Sequence, residues 1–482
     1  MNKSRLVNWI WRGVAVLASI IALVLTLRIL QSERQPDLRP WHTWAPREAD
    51  AGEIARLDWT AWLAAEDKLF ADTRTHLRNE LEPEDRVAAN RYFEGSPLYA
   101  AHFSRDWNRS YELLPGGAPV GAVVLLHGLS DSPYSLRHVA QSYADHGFAA
   151  VGIRLPGHGT VPAGLTRAHW QDWRAATRLA VREARRLAGP GKPLHIVGYS
   201  NGGALAMQYT LDAAADPGLE IPSRVVLLSP MIGLTRFARY AGVAGWPALL
   251  PRFSKSAWLD IVPEFNPFKY NSFPVNAARQ SYELTQVIDA QIADAVEHGT
   301  ISKLPPVLAF QSVVDSTIAG EALVSTLFAR LPENGSELVL FDVNRATPFD
   351  ILMSGSALSS LEKMLPMGPQ RYRVTVIGNS TGEARATETS RLPGAASAVT
   401  RALDIEYPRS FFSLSHVAIP FPPGDSLYGT EPEEEKFGVH LGIQSPRGER
   451  GTLIRGADTL VRASCNPFYP YMAARIEETL AH

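Results

Sequence analysis

The chain has 482 residues, 45% of them hydrophobic and 20% charged, so it can bury a large core and exceeds a usual single domain. A net charge of −2 offers no basic face for phosphates, which argues against a nucleic-acid partner. Cys465 is the only cysteine, which excludes an intramolecular disulfide and any Cys-based metal site.

The first elements in the chain read as a membrane segment. Val14 to Leu27 carries no charge and is bounded by Arg12 and Arg28. A span needs about 20 residues, which Trp9 to Leu30 supplies if the two arginines reach toward the interfaces, with Trp9 and Trp11 at the level of an aromatic belt. A cleaved signal peptide and a buried core helix are the alternatives. No small-x-small cleavage site follows the run, so residues 1–31 are expected to be a retained anchor. Basic residues flank both ends and leave orientation undecided by the positive-inside rule. A lone N-terminal anchor of signal-anchor type would leave the body outside the cytoplasm. Residues 32–117 follow as an extension rich in Trp, Arg, Asp and Pro. Its stretch from Trp59 to Leu81 has helical spacing, and nothing in it has catalytic spacing.

From about residue 118 to the end, apolar strands alternate with helices, the pattern of a mostly parallel sheet. Strands are predicted at Val120–His127, Phe148–Arg154, Pro193–Gly198, Arg224–Ser229, Pro305–Gln311 and Glu337–Asp342. Helices are predicted around Tyr134–His146, Asp172–Leu187 and Gly202–Leu211. Two segments break the rhythm. Residues 231–304 are rich in aromatics (Trp246, Phe253, Trp258, Phe265, Phe268, Tyr270, Phe273) and read as a lid; the rings either cover an acyl-binding pocket or pack the lid on the body. Residues 343–410 form a second insertion with one strand-like run, Tyr372–Ile377.

The sharpest motif is Gly198-Tyr199-Ser200-Asn201-Gly202, between a predicted strand and a predicted helix. A turn this sharp leaves no room for flanking side chains, so glycine is needed on both sides, and the serine oxygen is pushed out above the sheet beside a helix N-terminus. The motif alone is modest evidence; the strand-turn-helix setting removes most accidental matches. His127-Gly128 closes an earlier strand, so the backbone N–H groups of Leu129 and Asn201 are the expected oxyanion donors, with His127 holding the loop. Asp315 follows the strand Pro305–Gln311 and is the expected acid, with Asp342 and Asp350 as rivals. His416 is the expected base. His440 is its main rival, while His298 precedes the acid and His482 is terminal. The order Ser200, Asp315, His416 is the one such strand-turn-helix sites use.

The run LLHGLSDSPYSLRHVAQSYADHGFAAVGIRLPGHGT, then HWQDW and HIVGYSNGG, resembles bacterial monoacylglycerol lipases and small carboxylesterases of the serine aminopeptidase-like group. The resemblance is specific over Val120–Met207 and rests beyond that on short patches around Asp315 and His416. It implies an α/β-hydrolase fold: a mostly parallel sheet flanked by helices, with a lid, and hydrolysis of carboxylic esters by Ser200, Asp315 and His416. It departs from the family in the 101-residue separation of acid and base, which makes 343–410 an insertion emerging near the active-site face. The anchor and extension also have no counterpart in the small soluble relatives. The expected partners are a small ester or lipid-derived substrate and, through the N-terminal helix, a membrane; no metal or organic cofactor is required. An acyltransferase or thioesterase and a peptidase would use the same three residues. A silent hydrolase-fold binding module would lack one of them.

Overall fold

Short apolar runs that can be buried on both faces line up side by side in this chain, and a parallel sheet is the arrangement that satisfies them. The computed structural model describes residues 3–233, 246–315, 320–348, 355–366, 368–433, 435–442 and 462–480. Its strands are β1 (Tyr111–Leu113), β2 (Gly121–Leu126), β3 (Phe148–Ile153), β4 (Leu194–Tyr199), β5 (Arg224–Leu228), β6 (Trp258–Asp260), β7 (Phe273–Pro274), β8 (Val307–Ser312), β9 (Glu337–Phe341), β10 (Arg373–Gly378), β11 (Arg385–Arg391) and β12 (Val399–Glu406). Ten of them form one sheet in the order β1-β3-β2-β4-β5-β8-β9-β10-β11-β12, and β6 pairs with β7 apart from it. Every pairing from β3 through β10 is parallel; β1, β11 and β12 are antiparallel additions at the edges.

The predicted strands fall on β2, β3, β4, β5, β8 and β9. β2, β3, β4 and β8 are buried along their whole length, which explains why they read as unbroken apolar runs. The strand-like run at Tyr372 is β10. It continues the parallel register of β9, and β11 and β12 fold back on it, so residues 373–406 widen the sheet at its far edge. β11 and β12 are largely polar or half-exposed strands, and their alternation is too weak to stand out in the sequence.

Helices cover both faces. Before the sheet come α1 (Lys3–Glu33), the short α2 (Pro40–Thr43) and α3 (Ala51–Ile54), and α4 (Trp59–Glu80); within it lie α5 (Arg137–Asp145), α6 (Trp170–Ala188) and α7 (Asn201–Ala215). α4 starts where the Asp58 carboxylate accepts the Ala61 N–H at 2.8 Å. α6 stops at Gly189, whose φ of 83° a side chain would resist. In the segment between β5 and β8, the helix Val275–Glu297 buries Leu284, Ile288 and Ile292 and packs beside α7. The rings of Trp258, Phe268 and Tyr270 are buried, with Phe268 stacked on Tyr134 at 4.2 Å, so they pack this segment on the body. Residues 234–245 of the segment lie outside the described residues, as does the side chain of Trp246.

α1 is one continuous helix, and its part from Trp11 to Glu33 contains an 18-residue stretch of mean hydropathy 2.5 that is almost wholly exposed, long and apolar enough to cross a membrane. Its last turns are docked on the body. The Arg28 guanidinium donates to the carbonyl oxygens of Ser256 and Trp258, and the Ser32 and Ser256 hydroxyls lie 2.9 Å apart.

The extension is held by a buried charge cluster. Arg154, at the end of β3, donates to Glu66 of α4 at 2.8 Å and makes two 3.0 Å bonds to Glu48. Glu66 also accepts the Ser110 N–H and hydroxyl, and Glu48 accepts the Gly157 N–H, so each carboxylate is fully engaged. Removing the cation would leave Glu66 buried without a counter-charge, which costs about 3–5 kcal/mol. Arg154→Met is expected to lower the thermal unfolding midpoint of the full chain by several degrees. An unchanged midpoint would mean the extension is held mainly by apolar packing.

Candidate active site

The site grows from the turn after β4. At Ser200 the backbone takes φ 53° and ψ −116°, a conformation that side-chain-bearing residues avoid. A Cβ on Gly202 would collide with the carbonyl oxygen of Leu126, and one on Gly198 would collide with that of Gly202. Both flanking glycines are therefore required by contact. Three bonds hold the turn: the Ser200 N–H to Leu228 O at 3.0 Å, and the N–H groups of Met231 and Gly203 to Ser200 O at 2.8 and 3.0 Å.

The three residues expected from the sequence stand together. His416 Nε2 is 3.0 Å from Ser200 Oγ, and His416 Nδ1 is 2.8 Å from Asp315 Oδ2. The Gln311 amide donates to the same Asp315 oxygen at 2.9 Å. The Ser312 hydroxyl donates to Leu414 O at 2.7 Å, tying the end of β8 to the loop that carries the histidine. Ser200 and His416 are each 5% exposed, so the relay is shielded while it borders a cavity. Gln311 and Ser312 were not singled out in the sequence. The sole signal for Gln311 was its place four residues before Asp315.

The rivals are elsewhere. His440 Nδ1 faces Ser426 O at 3.1 Å, and His298 is exposed at a helix end. Asp342 accepts the Val343 N–H and pairs with Arg345 at 3.0 Å. Asp350 and His482 lie outside the described residues.

Leu129 and Asn201 are the expected oxyanion donors, and among the described residues neither backbone N–H donates to a protein acceptor. His127 shapes the first of them. Its Nε2 accepts the Leu155 N–H at 3.0 Å, which leaves the Nδ1–H to donate to Gly128 O at 2.9 Å. Burial holds this imidazole neutral, well below its ordinary pKa, so it acts as a strut. The next residue, Ser130, has φ 59°, and its carbonyl accepts the Tyr270 N–H at 2.7 Å.

A cavity of about 320 Å³ opens beside the relay, bounded by Tyr199 and Val417, the neighbours of Ser200 and His416. Phe265, Phe421 and Leu441 give it apolar wall, while Asp131, Lys269 and Asn266 add polar groups. None of the described residues of 343–410 lines this cavity.

Residues 117–298 match the family described as serine aminopeptidase, S33. The thermostable monoacylglycerol lipase of Bacillus sp. (strain H-257) is 26% identical over 192 residues, 38% of this chain and 72% of that protein. Among solved structures, a soluble variant of monoglyceride lipase from Saccharomyces cerevisiae aligns at 17% identity and TM-score 0.37, covering 48% of this chain and 81% of that one. The monoacylglycerol lipase of Paleococcus ferrophilus aligns at 17% identity and TM-score 0.35, covering 48% and 86%. The chain has the α/β-hydrolase fold and is similar to hydrolases of the lipase and esterase kind.

Asp131 gives the site a pH signature. Burial pushes its carboxyl up to about 6, against the pull of the Lys269 ammonium and its bond to the Ser132 N–H. An unfolded Asp titrates near 3.9, so between roughly pH 4 and 6 the folded chain holds the extra proton. Stability from this group is present below about pH 4 and lost as pH rises through 6. Asp131→Asn is expected to flatten that limb of the stability profile, read as unfolding midpoints at pH 4.5 and 6.5. The same slope in the variant and the unmutated chain would assign the titration to another group.

Proposed function

We propose that this chain is a membrane-anchored serine hydrolase that cleaves carboxylic esters of lipid origin through an acyl-enzyme. The observation that carries this reading is the continuous hydrogen-bonded line from Asp315 through His416 to Ser200, beside two backbone N–H groups that have no acceptor among the described residues.

The chemistry follows from the geometry. His416 Nε2 takes the Ser200 proton as Oγ attacks the ester carbonyl, and Asp315 holds the ring in the right tautomer and steadies the imidazolium. The N–H groups of Leu129 and Asn201 receive the oxyanion; one such donor is worth about 3–4 kcal/mol. His416 then gives its proton to the departing alkoxide. Water, deprotonated by the same histidine, attacks the acyl-enzyme and releases the acid. The cavity beside the relay suits both halves of such an ester, with Phe265, Phe421 and Leu441 for an acyl chain and Lys269, Asn266 and Asp131 for a polar alcohol. The similarity to a monoacylglycerol lipase supports an ester substrate, and the exposed apolar length of α1 supports a bilayer anchor.

The test is hydrolysis of p-nitrophenyl esters of increasing chain length by the full chain in detergent. Ser200→Ala is expected to lose on the order of 10⁴-fold or more in kcat, and Asp315→Asn about 10³–10⁴-fold. Turnover that survives in Ser200→Ala would sink the assignment. Absence of turnover on every ester, in a folded protein, would point to an acyltransferase, a peptidase or a binding role.

A further inference from the structure

We infer that the extension forms a second ligand site, separate from the serine and independent of the ester reading, for a single-chain amphiphile with a carboxylate head. A cavity of about 400 Å³ lies between α4, the loops after it and Gly159-Thr160 of the main domain, within the size range of small-molecule sites. None of the cavity's lining residues is shared with the cavity beside Ser200.

Its floor is apolar, built from Phe70, Leu77, Leu81, Tyr92 and Phe93. Five arginines (74, 78, 86, 91 and 109) face two carboxylates, Glu94 and Asp106, in the same lining. Two of the five are matched. Arg78 binds Glu94 at 2.9 Å, and Arg109 lies 2.6 Å from Asp67 and 3.4 Å from Asp106. The other three are not neutralised at contact distance. Buried Arg91 donates to the carbonyl oxygens of Asn266 and Lys269 and to Asn108 Oδ1, all neutral acceptors. Buried Glu264, whose charge interacts with Arg91 without a contact ion pair, accepts the N–H groups of Asn271 and Ser272. On the rim, Arg74 and Arg86 form no ion pair among the described residues. Three guanidiniums without a contact ion pair among the described residues therefore share a lining with the apolar floor, a combination that attracts an anion and shelters an alkyl chain.

The polar lining favours this class over a nucleotide or sugar. The Asn108 amide is fully engaged by Asp106, Pro267 O and Arg91, and the Thr73 hydroxyl donates to Leu69 O at 2.8 Å. What remains are the Tyr92 and Thr160 hydroxyls, both buried and without a hydrogen-bond partner among the described residues. A ligand read by many hydrogen bonds would find few here, whereas a carboxylate with a hydrocarbon tail needs only the arginines and the floor.

The experiment is calorimetric titration of octanoate into the full chain in phosphatidylcholine nanodiscs, with protein-free discs as the blank. A binding site is expected that octyltrimethylammonium does not fill. Arg74→Glu combined with Arg86→Glu is expected to weaken octanoate at least about tenfold by charge reversal at the rim. Ala101→Trp, which fills the cavity, is expected to do the same, and the unfolding midpoint shows whether each variant is folded. Octanoate affinity unchanged in both folded variants, equal binding of the cationic analogue, or no heat beyond the blank would each overturn the proposal.

Discussion

Everything in the candidate site depends on one crowded turn. Ser200 is held at positive φ where β4 turns into α7, with Gly202 against the Leu126 carbonyl of β2 and Gly198 against the backbone of Gly202, leaving no volume for a side chain at either glycine. Such a conformation costs on the order of 1–3 kcal/mol and persists only where the surroundings over-determine it. Here they do: the Ser200 N–H is taken by β5, and its carbonyl by Met231 and the first turn of α7. The same turn sets the serine oxygen beside the α7 N-terminus and aims it at His416. Sheet, helix and relay are consequences of one steric constraint.

The segments that complete the site arrive from outside the parallel sheet and are fastened by buried charge. Arg154 joins the extension to the end of β3. Asp425 joins the C-terminal segment to α5, bonding Arg137 at 2.6 Å, His138 at 3.0 Å and the Tyr134 hydroxyl at 3.0 Å. Burial alone would raise the Asp425 carboxyl, but Arg137 and His138 hold it below the usual range. The two fasteners lie at opposite ends of the described body in sequence. Loops with little regular structure, including the one that carries His416, are held at a fixed distance from β4 between them.

How much was legible in the sequence follows from where the information was local. Six of the seven parallel strands were readable because burial on both faces forces unbroken apolar runs. Ser200 was readable because its turn demands glycine at two fixed positions. Asp315 and His416 were readable only through their order in the chain and their place after a strand, since their meeting across 101 residues is tertiary. β11 and β12 escaped because they are partly exposed strands at the end of the sheet whose side chains follow no strict alternation. Gln311 escaped because it lies near the end of a strand that reads only as an apolar run, and its bond to Asp315 four residues on leaves no pattern in the sequence. Asp131 escaped because its burial beside Lys269 is a tertiary meeting.

The aromatic segment between β5 and β8 shows why composition alone could not separate a lid from a wall. Trp258, Phe268 and Tyr270 are buried and Phe253, Phe265 and Phe273 half-buried, yet β6, which starts at Trp258, is the strand on which α1 is docked. Arg28 reaches the Trp258 carbonyl and Gln35 reaches that of Leu259 at 3.1 Å, while Asp260 and Val262, the next residues along, line the cavity beside the serine. A few residues therefore separate the end of the apolar helix from the wall of the cavity. A buried guanidinium on carbonyl oxygens is a directional contact, and truncating it would leave those acceptors unpaired. Whatever fixes the direction of α1, a bilayer included, therefore also fixes the direction in which that wall faces.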